Sequence, residues 1–179
     1  MSRIKFTRVL VVAIALLACV SALATDFTIE PYAGYEFGYD VSGNTAYSES
    51  GPDFGMRVGL DIESFLIGGD YMMGNLSIAS PSSVSSIKTS DIGAYLGYNS
   101  SVVRFWGEYW FSSSGSPSNG SSYSGSGGYA LGLSVKVYEL LSLFVEHSIR
   151  TYTSQGGQEL HPNREIDGTI VGLSFPYNF

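Results

Sequence analysis

Two histidines, one cysteine and a set of widely spaced charges are the residues of this 179-residue chain that could do chemistry. His147 stands between Val145 and Ile149 in a stretch whose alternation puts it on the apolar face, an unusual place for an imidazole. A histidine working as a base needs a hydroxyl or thiol nucleophile in reach and an acid to orient its ring. Ser148 has the opposite parity, Thr151 is four residues on, and Ile149 occupies the position two on; only Asp167, in another segment, shares the outward face. An acid and a base with nothing to activate make no nucleophilic site, so no catalytic residue is assigned and the chain reads as not an enzyme. His161 lies beside Pro162 without the cluster of ligands a metal site requires, so no metal and no cofactor are expected.

Cys19 belongs to an export signal. Arg3, Lys5 and Arg8 precede twelve apolar residues, Val9 to Val20, and the small-residue site Ala22-Leu23-Ala24 follows. A basic start, a short apolar run and an A-x-A site make a secretory signal, and twelve residues are too few to span a bilayer as a helix. Cleavage after Ala24 divides the chain into a signal peptide, 1–24, and one mature domain, 25–179. Leu16-Leu17-Ala18-Cys19 resembles a lipoprotein box, although Leu17 stands where a smaller residue is preferred. With cleavage after Ala24 the cysteine is discarded and no thiol chemistry remains. Loss of Arg3, Lys5 and Arg8 leaves six basic against sixteen acidic residues, so bulk charge argues against nucleic acid as a partner.

Past Val20 no apolar run is long enough for a membrane helix, yet the chain is only 14% charged and 14% aromatic with 22 glycines. Such a chain either folds as a soluble sandwich or hides its membrane signal in alternation, as barrel strands do. Period-two alternation predicts eight strands near 27–39, 53–62, 65–75, 89–98, 102–111, 128–137, 141–152 and 166–179. The connections alternate in length. Those at 63–64, 99–101 and 138–140 are tight, whereas 40–52, 76–88, 112–127 and 153–165 are long and rich in Ser, Gly, Asn and Pro. This is the rhythm of an antiparallel up-and-down transmembrane β-barrel with short periplasmic turns and long external loops.

One face of these strands is apolar, as in Met56, Val58, Leu60 and Ile62. The other carries Glu30, Glu36, Asp53, Arg57, Asp61, Asp70, Asp91, Arg104, Glu108, Lys136, Glu146 and Arg150. A one-residue slip would turn these charges into hydrocarbon, where a midplane Arg or Lys costs about 2 to 4 kcal/mol, so the register is fixed. Outward aromatics fall into two belts, Phe65, Tyr98, Tyr177 and Phe179 at the turn end and Tyr39, Phe54, Phe111 and Tyr129 at the loop end. Rings of this kind settle at headgroup level.

With the opening Phe27-Thr-Ile-Glu-Pro-Tyr-Ala-Gly-Tyr-Glu-Phe-Gly-Tyr39 and the closing Gly172-Leu-Ser-Phe-Pro-Tyr-Asn-Phe179, the chain resembles the small eight-stranded outer-membrane barrels typified by OmpX and the membrane domain of OmpA. The resemblance implies a bacterial outer-membrane location amid lipid and lipopolysaccharide. It also implies a terminal strand, through Gly172, Phe175, Tyr177 and Phe179, that the barrel assembly machinery and periplasmic chaperones read, and a monomeric state. Pro176 departs from the pattern by removing a ladder donor near the periplasmic end. Lipid A deacylases of the PagL type are also small barrels with a lipid-facing histidine, but they carry a serine where this chain has Ile149.

Eight strands leave an interior just wide enough for side chains. Inward glycines at 34, 38, 55, 59, 68, 93, 97, 132 and 172 offset Tyr32, Tyr95, Trp106, Trp110 and Phe144. The expected lumen charge network comprises Glu30, Glu36, Arg57, Asp70, Arg104, Glu108, Lys136, Glu146 and Arg150, with the four basic residues paired to acids because a buried lone charge is expensive. The main functional reading is a structural or surface-interaction barrel with a filled polar lumen. A narrow cation-preferring pore is the alternative, and a lipid A-modifying enzyme stands behind it. The Ser/Gly loop at 112–128 is expected to be flexible, and Tyr47, Tyr123 and Arg164 are the anchors the loops offer an extracellular ligand. Loops of this kind are expected to contribute little packing.

Overall fold

The computed structural model describes residues 25–42, 45–80, 83–118 and 120–179; residues 1–24, the expected signal segment with Cys19, lie outside the described residues. Alternation becomes β1 (Thr25–Ser42), β2 (Thr45–Ile62), β3 (Phe65–Ser80), β4 (Ser83–Asn99), β5 (Val103–Pro117), β6 (Tyr123–Gly125), β7 (Gly128–Tyr138), β8 (Leu141–Gln155), β9 (Gln158–Ser174) and β10 (Tyr177–Asn178). These ten segments form eight staves. β6 and β7 are two halves of one, both pairing with β5 and β8, with a break before Gly128 where Gly127 takes a positive φ of 102°. β9 and β10 form another, both paired with β1 and interrupted at Phe175-Pro176.

Every pairing is antiparallel and the sheet closes on itself, β1 lying between β2 and β9. Beyond the break at Pro176 the seam is finished by Phe27 and Phe179, whose N–H groups each donate to the other's carbonyl, at 3.1 and 2.9 Å. Among the described residues closure leaves no edge strand, the condition for a sheet to cross a bilayer with its backbone satisfied.

The side chains sort as the alternation requires. Leu96, Phe105, Tyr109 and Leu131 are among the outward residues more than half exposed, while Leu66, Met72, Trp110 and Ile170 are sealed inside. Both aromatic belts face outward. Inside, bulky rings fit because glycine faces them: a Cβ on Gly55 would collide with the Tyr32 ring, and one on Gly132 with the Trp106 indole.

The long connections differ from their expected form. β1 to β5, β8 and β9 run on well past the loop-end belt, so most of 40–52, 76–88, 112–117 and 153–165 is paired strand. Their serines did not mark looseness, because the period of two continues through them. Ser77, Ser114 and Ser116 point outward, and Leu76, Ile78, Ile87, Tyr152 and Ile166 point inward as a second apolar cluster, with Tyr47, Tyr123 and Leu160 packed against it. The expectation that these segments add little packing is therefore corrected.

Candidate functional site

The lumen is filled in layers. Nearest the turn end, Arg57 reaches from β2 to Glu146 on β8 (2.6 Å), Asp70 on β3 (3.1 Å) and, at 4.0 Å, Glu30 on β1. Glu30 also pairs with Arg104 of β5. The guanidinium of Arg57 is held between rings, 4.4 Å from the centroid of Tyr32 and 4.3 Å from that of Trp106. Both rings also donate to its acids: the Tyr32 hydroxyl to Asp70 at 3.0 Å, the Trp106 indole N–H to Glu146 at 2.7 Å. An apolar layer that includes Met72, Trp110, Ala130 and Ile170 follows.

Above it Arg150 of β8 makes a two-pronged pair with Glu36 of β1, both bonds 2.9 Å, and lies 3.0 Å from Asp91 of β4. Arg150, Glu36 and Asp91 have no exposed surface. Over this sits the upper apolar cluster, and on top Arg164 pairs with Asp40 while its guanidinium lies 4.2 Å from the centre of the Tyr123 ring. Burial works to lower the Arg164 pKa, but the hydrogen bond and charge of Asp40 outweigh it and leave it raised. Glu49, five residues beyond the last outward aromatic of β2, is buried with neither carboxyl oxygen hydrogen-bonded. Burial first, then the like charges of Glu36 and Asp40, push it from 4.5 to about 8.

The nine residues expected to share the lumen are thus not equivalent. Glu30, Glu36, Arg57, Asp70, Arg104, Glu146 and Arg150 meet in two pair networks that tie opposite staves together. Glu108 is buried beside the lower network, its oxygens without a hydrogen-bond partner. Lys136 departs from expectation. It is exposed at the turn-end mouth, lining a cavity of about 710 Å³ with Asp26, Asp61 and Glu139, and among the described residues it makes no ion pair. Its position near the end of β7 lets the long side chain reach water, which a mid-strand arginine cannot do.

Sequence reasoning treated Tyr32 and Trp106 as bulk and missed that they clasp Arg57. The signal was available in register, since Gly55 opposite Tyr32 and Gly132 opposite Trp106 leave each ring room to cross the lumen. Tyr47, Tyr123 and Arg164, expected as anchors for a ligand, are partly buried: the two tyrosines pack against the upper cluster, and Arg164 lies over the Tyr123 ring and pairs with Asp40.

No family model matches the chain, and no curated protein matches it in sequence. Solved structures do match. The attachment invasion locus protein Ail of Yersinia pestis, in complex with the heparin analogue sucrose octasulfate, superposes with a TM-score of 0.60 at 12% identity, covering 85% of this chain and 99% of Ail. Neisserial surface protein A superposes with a TM-score of 0.59 at 14% identity, covering 83% of this chain and 96% of that one. The chain has the fold of the small eight-stranded outer-membrane barrels.

In this transmembrane barrel the terminal-strand residues divide by face. Phe175, Tyr177 and Phe179 are exposed toward lipid, and Gly172 faces inward against Phe144 and the backbone of Ala33. His147 is outward as expected, its Nε2 3.6 Å from an Asp167 oxygen. The structure adds a hydroxyl that sequence reasoning overlooked: Thr169, opposite His147 in the ladder, has its Oγ1 3.4 Å from Nδ1. The backbone around Thr169 is committed to ladders with β8 and β1, which leaves no converging pair of N–H groups to stabilise an oxyanion beside it.

Proposed function

We propose that the protein is a surface-interaction barrel of the bacterial outer membrane. It is a closed, rigid scaffold that carries extended hairpins beyond the membrane and catalyses no reaction. The observation that supports this most is the contrast between lumen and rim. Two ion-pair layers and two apolar clusters fill the interior, while serine-faced hairpins continue as paired strands past the outer belt. A molecule that invests its interior in packing and its exterior in standing strands is suited to presenting a surface. The similarity to Ail, a protein named for attachment and invasion, agrees with that reading.

In this reading residues 1–24 direct export and are removed, the assembly machinery and periplasmic chaperones read the strand that carries Gly172, Phe175, Tyr177 and Phe179, and the barrel works as a monomer among outer-membrane lipid and lipopolysaccharide. Extracellular ligands meet the outward faces and tips of the hairpins. Tyr123 and Arg164, partly buried in the upper cluster and its ion pair, take no part. The experiment compares attachment of cells expressing wild type, a variant shortened between Pro117 and Tyr123, and empty vector to a panel of glycan and matrix-coated surfaces. Wild type is expected to raise attachment on at least one surface. The shortened variant should lose that gain while keeping the mobility shift on boiling that marks a folded barrel. No difference between wild type and empty vector on any surface would reject the proposal.

A further inference from the structure

On most staves the outward face changes from apolar to small and polar on passing the loop-end belt. β2 goes from Phe54 to Ser50 and Ser48, β3 from Met73 to Asn75 and Ser77, and β5 from Phe111 to Ser112 and Ser114. β1 does not change. Tyr35, Phe37 and Tyr39 continue as an aromatic column, 51%, 49% and 59% exposed. Its neighbours in register are small or polar: Phe37 lies between Ser50 and Thr169, Tyr39 between Ser48 and Asp167. The rings stand proud of a concavity of about 620 Å³ lined by these side chains.

Polarity reaches downward at one edge of it. Thr169 and Asp167 are followed on β8 by His147, which has Val145 below it and Ile149 above on the same face. The side chains of His147 and Asp167 are about half exposed. At 3.4 and 3.6 Å their mutual contacts are long for hydrogen bonds, so the imidazole, carboxylate and hydroxyl retain capacity to bond outward. Polar groups turned toward the hydrocarbon edge are costly when unmet.

We infer that this notch, the Phe37 and Tyr39 rings flanked by Asp167, Thr169 and His147, docks the sugar ring of an outer-leaflet glycolipid. A saccharide offers an apolar C–H face to lie on an exposed ring, and hydroxyl or amide donors at its edge for a carboxylate. The height fits, because the notch lies at the loop-end belt, where headgroups begin. The charge also discriminates. The lining includes two acidic residues, Asp167 and Glu49, and no Lys or Arg, so it suits the neutral sugar rather than a phosphate. The inference rests on the outer-membrane reading above.

The test refolds the mature chain into vesicles of phosphatidylethanolamine mixed with rough lipopolysaccharide and measures, by native mass spectrometry, the glycolipid that stays bound on release. An Asp167→Asn, Thr169→Val double variant and Tyr39→Ala are each expected to reduce bound glycolipid about tenfold, the worth of one to two net hydrogen bonds, with phosphatidylethanolamine unchanged. Phe111→Ala, in the same belt but on β5, which pairs with neither β9 nor β1, should leave retention intact, and a dephosphorylated glycolipid should bind as well as the parent. Equal retention by wild type and the notch variants, an equal loss in Phe111→Ala, or a loss on dephosphorylation would each overturn the proposal while a boiling-sensitive mobility shift shows the barrel intact. Absence of that shift in wild type would overturn the membrane reading with it.

Discussion

Arg150 has no exposed surface and is held by Glu36 and Asp91, so its removal leaves two carboxylates facing each other without a counter-charge. Breaking a buried pair from one side typically costs about 3 to 5 kcal/mol, whereas losing one neutral hydrogen bond costs about 1 kcal/mol. Arg150→Met is therefore expected to lower the urea midpoint of the barrel in lipid vesicles far more than Tyr32→Phe, which loses one bond to Asp70 while Arg57 still holds that acid. Equal shifts would contradict the account of the layers. Glu49 makes a prediction of opposite sign to the usual carboxylate. Its carboxyl binds a proton more tightly folded than unfolded, so its contribution is fully present below 4.5 and is lost as pH rises through about 8. Hydrogen exchange at residues 46–51, corrected for intrinsic rate, should show protection falling across that window, and Glu49→Gln should flatten the fall. A wild-type profile that is already flat would refute it.

At the scale of elements, the tight turns and the hairpin ends are the parts open to test. The turn between β2 and β3 places Glu63 and Ser64 at positive φ, 52° and 91°, where a side chain costs about 1 to 2 kcal/mol. Ser64→Gly keeps the backbone N–H that bonds the Asp61 carboxylate and should raise the thermal midpoint by a few degrees. An unchanged or lower midpoint would count against strain there. This turn also shows what the chain discloses of itself. Alternation located all eight staves and their facing, because a buried polar lumen and a lipid exterior penalise any slip. It underestimated how far the hairpins continue, since Ser and Gly carry turn and strand alike and only the inward Leu76, Ile78, Ile87 and Tyr152 distinguish them. In the lumen, charge parity was legible but partner choice was not. Arg57 selects Glu146 and Asp70 through rings that reach across the barrel, and Lys136 escapes to water at its end.

For the whole molecule the question is whether ions pass. A conducting path needs a continuous column of water, and here any path meets the Arg57 layer, the Met72 and Trp110 layer, the Arg150 layer and the upper apolar cluster in series. Each is made of side chains with almost no exposed surface, so an ion entering one would lose its hydration. Barriers in series make the outcome insensitive to any one of them. Wild type is expected to show no discrete current steps in a planar bilayer at high salt. Opening the upper cluster alone, with Ile87→Ser and Tyr152→Ser, should speed hydrogen exchange at the hairpin ends and still give no steps. Steps in wild type would return the narrow pore to first place, and steps in the double variant would show that the ion-pair layers below do not seal the barrel.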